Sequence, residues 1–166
     1  MSMINRISRA VDALLNVVVA ISALALIIVL FIQVVNRYVF GFSWPVLQFL
    51  IPLFFVWLSM LGSAIAVRRR LHFEVDFLSS HLSAGGRRVY GALIGFAGFL
   101  AGVVFVWTGL GFAELGFLKL DPAIGVKMIY VYAALLIGGF FICLFSLEQI
   151  LRWSLGDAPA GGEALQ

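Results

Sequence analysis

Residues 13–35 read ALLNVVVAISALALIIVLFIQVV, 23 positions without a single Asp, Glu, Lys, Arg or His. A helix of about 20 residues rises about 30 Å, the thickness of a bilayer's hydrocarbon core, so this stretch is long enough to cross one. Three more stretches free of ionisable residues follow, at 38–67, 89–113 and 128–147. None alternates with period two, which excludes the strands of a barrel. Within the second, Gly41-Phe42-Ser43-Trp44-Pro45 reads as a helix start, where Ser43 can cap and Pro45 is tolerated in the first turn. The expected helices are therefore at about 13–35, 44–67, 89–113 and 128–147.

The composition points the same way. Hydrophobic residues make up 63% of the 166, charged residues 11%, and the mean hydropathy is +1.12. A soluble domain carries roughly 25% charged residues, so a water-soluble fold of this chain could not cover its own exterior. Soluble enzymes, disordered chains and disulfide scaffolds are excluded; Cys143 is the single cysteine. The fold class is all-α: a polytopic membrane protein with four transmembrane helices, forming a single membrane domain over 1–156. The Ala/Gly-rich segment 157–166 is expected to be a disordered tail.

The net charge of +3 and pI near 9.4 do not describe a phosphate-binding surface, because the eleven Lys and Arg residues are scattered between apolar runs. They read instead as topology signals in contact with a lipid bilayer, with no nucleic-acid partner. Arg6, Arg9, Arg68, Arg69, Arg70, Arg87, Arg88 and Arg152 flank one side, eight in all, against Arg37, Lys119 and Lys127 on the other. Both termini are therefore expected in the cytoplasm. A cleaved signal peptide ending near Ala23-Leu24-Ala25 is disfavoured, since the apolar run continues ten residues past Ala25.

Two segments outside the spans look interfacial. Ile4, Ile7, Val11 and Leu14 form one helical stripe. Leu71, Val75, Leu78 and Leu82 form another, within about 60° of one another at 100° per residue, while His72, Asp76, Ser79 and Ser83 point elsewhere. A short amphipathic helix lying on the cytoplasmic face between helices 2 and 3 explains the second pattern.

A charge at mid-bilayer costs at least about 2.5–3.5 kcal/mol and usually marks a transport or proton site. None of the four stretches holds one, which argues against an exporter acting alone, and both histidines, His72 and His81, fall outside them, which argues against an intramembrane haem anchor. His72 and Asp76 could share a helix face and a metal, but two ligands fall short of the three or four zinc takes. A cap or salt bridge beside Arg68, Arg69 and Arg70 is the simpler role. No catalytic, substrate-binding or metal residue and no cofactor is read from the chain.

Packing features are plainer. Gly91, Gly95, Gly98 and Gly102 give small-xxx-small pairs at 91/95 and 98/102, and Gly138 and Gly139 mark the fourth span. Pro52 removes the N–H that would bond the Gln48 carbonyl, and Gln48 can reach another helix. Arg37 ends the first span. It can snorkel to the outer interface or use its planar fork of donors on a partner subunit.

The segment Arg37-Tyr38-Val39-Phe40-Gly41-Phe42-Ser43-Trp44, followed by Trp57, Gly62, the Arg68…His72…Asp76 stretch and the Pro122-Ala123-Ile124-Gly125 turn, resembles the small membrane subunit of tripartite ATP-independent periplasmic (TRAP) transporters, the DctQ-like family. The resemblance covers nearly the whole chain. It implies a non-enzymatic accessory permease subunit in a bacterial inner (cytoplasmic) membrane. Its partners would be a large membrane subunit that moves the solute on an ion gradient, usually sodium, and a periplasmic solute-binding protein. Relatives often carry acidic residues just after the tryptophan, where this sequence has Pro45, Val46, Leu47 and Gln48. The alternatives are a membrane anchor or assembly subunit of an unrelated complex and a channel formed by self-association.

Overall fold

A computed structural model describes residues 2–68 and 84–154, with side chains from 13–68, at Gly86 and from 89–151. Four helices carry these residues: α1 (Ser2–Tyr38), α2 (Pro45–Arg68), α3 (Ala84–Leu118) and α4 (Ile129–Ser154). Each contains a stretch long and apolar enough to cross a membrane: Ala13–Tyr38, Pro45–Arg68, Val89–Leu118 and Ile129–Leu151. A backbone in hydrocarbon must satisfy its own N–H and C=O groups, and a continuous helix does so.

Three helices run well past their expected ends, α4 continuing beyond residue 147 to Ser154. The stripe of Ile4, Ile7 and Val11 is no separate segment; its residues continue into α1 without a break. α3 extends beyond Ala113 to Leu118 and takes Glu114 into its last turns. One charge so near a helix end does not stop a run of Leu115, Gly116, Phe117 and Leu118. The expected interfacial helix, with Arg69, Arg70, His72 and Asp76, and the tail 157–166 lie outside the described residues.

The helices pack in the order α1, α2, α4, α3, each against its neighbour in that row. A Cβ placed on Gly95 would meet Ile150, on Gly102 Cys143, on Gly109 Leu136 and on Gly116 Ile129, so α3 and α4 run antiparallel. Gly138 meets Met60 and the Arg68 guanidinium lies over the Phe145 ring, so α2 and α4 run parallel. α1 folds back onto α2, and Leu15 joins Met60, Leu61, Ala64, Ile65, Val67, Ile142 and Phe145 in one apolar core shared by three helices. The described chain therefore begins and ends on the same side of the bundle.

Candidate functional site

The joint between α1 and α2 is a polar knot. Gly41 takes φ +72, the left-handed region that glycine enters without strain, and turns the chain between the helices. The Phe42 N–H donates to the Asn36 carbonyl at 3.2 Å. α2 starts at Pro45, which has no N–H to leave unsatisfied in a first turn. The expected cap is not made by Ser43: the Trp44 carbonyl takes the Leu47 and Gln48 N–H groups. Ser43 Oγ instead accepts Gln33 Nε2 at 2.6 Å and Gln48 Nε2 at 2.9 Å. Gln48 thus reaches α1 through Ser43 rather than directly. Gln33 Oε1 and Asn36 Nδ2 are buried here without a hydrogen-bond partner among the described residues. Arg37 stays exposed beside the knot, and Phe40, Phe42 and Trp44 follow as a ladder of rings at 6.0 and 5.9 Å. The amphipathic indole of Trp44 is of the kind that settles at a membrane–water boundary.

On the same side of the bundle, the loop 119–128 is tied tightly. Asp121 Oδ1 accepts the N–H groups of Ala123 and Ile124 at 2.9 and 3.2 Å. The Gly125 N–H bonds the Asp121 carbonyl at 2.9 Å, with Gly125 at φ +68. Leu120 and Lys127 close an isolated antiparallel bridge. The Pro122-Ala123-Ile124-Gly125 turn is therefore a fixed link, and it aims α4 back along α3.

The glycines define the most intimate contact. A Cβ added at Gly102 would lie 2.6 Å from Cys143 Sγ and 2.8 Å from its backbone nitrogen; at Gly109, 2.9 Å from the Leu136 nitrogen; at Gly116, 2.8 Å from the Ile129 Cα. Gly95 and Gly98 face Ile150 and Ser146 side chains, at 2.8 and 2.7 Å, and Gly91 is buried on the same face. From α4, Gly139 meets Phe105 and Val106 while Gly138 meets Met60 of α2. Close backbone approach of this kind drives helix association where lipid removes the hydrophobic incentive.

The structure brings Gly95, Gly98 and Gly102 together in one seam, with Gly91 buried on the same helical stripe, but leaves other candidates apart from it. Gly62 is half-buried, with open space where a Cβ would go. Pro52 is exposed within α2. The half-buried Trp57 donates from Nε1 to the Tyr130 carbonyl at 2.9 Å and pins α2 to the first turn of α4. Arg68 sits 5.0 Å from the Phe145 ring centroid, a cation–π contact. Arg87 and Arg88 fall at the start of α3. Gly109 and Gly116 escape the sequence reading, although a signal for them exists: with Gly95 and Gly102 they recur every seven residues.

Four membrane-crossing helices held by glycine seams and tight extramembrane turns define a small polytopic membrane protein. Residues 26–156 match the family model for tripartite ATP-independent periplasmic transporters, DctQ component. The chain belongs to this family, and with it to the components of a transport system. A search of curated proteins finds no match to it.

Proposed function

We propose that this chain is the accessory small subunit of a secondary active solute importer, working with a large membrane subunit and a periplasmic binding protein in the bacterial inner membrane. The ion gradient that drives it is proposed to be sodium. Family membership over residues 26–156 supports the transport system. The accessory role rests on one observation: α3 and α4 meet so closely at Gly102, Gly109 and Gly116 that even a methyl group would strike backbone. No solute path fits between such helices, and Gly138 against Met60 closes the α2–α4 seam in the same way.

Both termini face the cytoplasm in this reading, and the amphipathic segment 71–82 lies on that face. The basic-residue asymmetry supports the orientation. The packing order fits an interfacial segment: α2 and α3 each pack against α4, which stands between the helix ends at Arg68 and Ala84. Two interaxial spacings come to about 16–20 Å. A helix of about 12 residues laid flat covers about 18 Å of that.

Reconstitution tests the proposal. Uptake in liposomes is expected only when this chain, the large subunit and the binding protein are combined with an inward sodium gradient. Saturable uptake by this chain alone would overturn the accessory role.

A further inference from the structure

α1 and α3 close the two ends of the helical row, and their outward faces make different demands on whatever covers them. Along α1 the exposed positions Leu14, Val17, Ile21, Leu24, Ile28 and Phe31 carry only hydrocarbon, which acyl chains cover fully. α3 turns outward Leu100, Trp107, Gly111, Glu114 and Leu118, which fall within about 60° of one another at 100° per residue. Trp107 is 78% exposed and Leu118 85%.

Depth sharpens the contrast. Gly139 packs against Phe105, so the middle of the Val89–Leu118 span lies opposite the middle of Ile129–Leu151. At 1.5 Å per residue Trp107 then sits about 5 Å from the bilayer centre, and Glu114 about 15 Å from it, at the edge of the hydrocarbon. The indole N–H of Trp107 has no acceptor among the described residues. Acyl chains offer none, and a tryptophan free to choose its depth settles at the headgroups where acceptors exist. Beside it, a Cβ on Gly111 would meet nothing within 4 Å, leaving a notch. The exposed Glu114 carboxylate forms no ion pair with any described residue.

We infer that this face of α3 is where a transmembrane helix of the large subunit docks. That helix presents a hydrogen-bond acceptor near the bilayer centre and an Arg or Lys about 10 Å nearer the 119–128 end, matching the seven-residue rise from Trp107 to Glu114. The inference rests on the small-subunit reading. Trp107 and Glu114 together select the partner: a headgroup ammonium could reach Glu114 but offers no acceptor to an indole near the bilayer centre, whereas one neighbouring helix supplies both an acceptor and a cation.

A photo-crosslinking amino acid placed singly at Trp107, Gly111 or Glu114 of the co-expressed complex is expected to yield adducts with the large subunit. The same group at Ile21, Leu24 or Ile28 is expected to label lipid alone. Adducts from α1, or from Ser59 and Gly62 on α2, without any from α3 would overturn the inference, as would α3 adducts only to lipid or to a second copy of this chain. If the unmodified chain fails to co-purify with the large subunit, the small-subunit reading itself falls, and this docking face with it. Independently, Glu114→Lys is expected to lower the co-purified large subunit about tenfold and Glu114→Gln less, with membrane insertion unchanged. Undiminished recovery with Glu114→Lys would overturn the charge pairing on which the choice of face depends.

Discussion

The α3–α4 and α1–α2 seams share a spacing and differ in what fills it. In α3, Gly95, Gly102, Gly109 and Gly116 recur every seven residues; in α1, Leu15, Ser22, Val29 and Asn36 are buried at the same interval. A seven-residue repeat keeps one stripe of a helix turned toward its partner. Glycine lets α3 press its backbone against α4, so the contact is made by main chain that cannot rearrange. The α1 stripe holds its partner off with side chains, two of them polar, and those can repack. One seam is fixed by geometry; the other is negotiable.

The sharpest way to break this contrast is a large side chain in the glycine seam. Gly109→Leu must displace the Leu136 backbone, since even a Cβ would come within 2.9 Å of its nitrogen. Leucine is the better helix former by about 1 kcal/mol, which offsets part of the strain. The net loss is expected to reach about 3 kcal/mol, at the upper end of overpacking effects, because backbone rather than a side-chain tip must move. Unfolding followed by helicity in mixed detergent micelles measures it. Stability equal to the parent chain would mean that α3 and α4 are not in close contact at this depth.

The negotiable seam is expected to respond with the opposite sign. Asn36 is buried at the α1–α2 joint with its Nδ2 unpartnered among the described residues. Leucine has the same branched heavy-atom skeleton, with bulkier methyl groups that side chains in this seam can accommodate, and carries no group to desolvate. An orphaned buried donor typically costs about 1–3 kcal/mol, so Asn36→Leu is expected to stabilise the chain by about 1 kcal/mol in the same assay. A loss instead would show that the Asn36 side chain is held by a partner in the membrane, and the α1–α2 seam would then be as specific as the glycine one.

These seams also explain what can be read in advance. Four long runs without charge announce four membrane helices, because length and charge are all the bilayer tests. Gly91, Gly95, Gly98 and Gly102 stand out as packing positions because small residues are the visible exception in an apolar helix. The α1 stripe is not legible. Leu15 and Val29 look like every other residue of a helix apolar all round, so no periodicity separates the face toward α2 from the face toward lipid. Ser43 reads as a cap from its place before Pro45; the two glutamines that claim its hydroxyl come from 10 residues before and 5 after, and sequence proximity cannot rank them. The outward face of α3 is hidden by a boundary. Ending the third span at Ala113 leaves Glu114 in a loop, whereas the helix carries it onto the same stripe as Trp107.

The smallest expected effect separates a glycine used for contact from one that is merely present. Gly62 lies in α2 with nothing within 4 Å of an added methyl, while the same methyl on Gly102 would fall 2.8 Å from the Cys143 nitrogen. Alanine restricts the unfolded backbone and favours helix by about 0.5–1 kcal/mol over glycine. Gly62→Ala should therefore gain about 0.5 kcal/mol, with part of the propensity difference lost in a bilayer where helices are already enforced. Gly102→Ala should lose stability despite the same propensity gain, because its methyl has to displace main chain. Recovery of the large subunit adds a second reading. With docking on α3, Gly62→Ala leaves that recovery unchanged; a drop at unchanged stability would move the contact to the open side of α2, where the empty space beside Gly62 would be the seat of a partner helix.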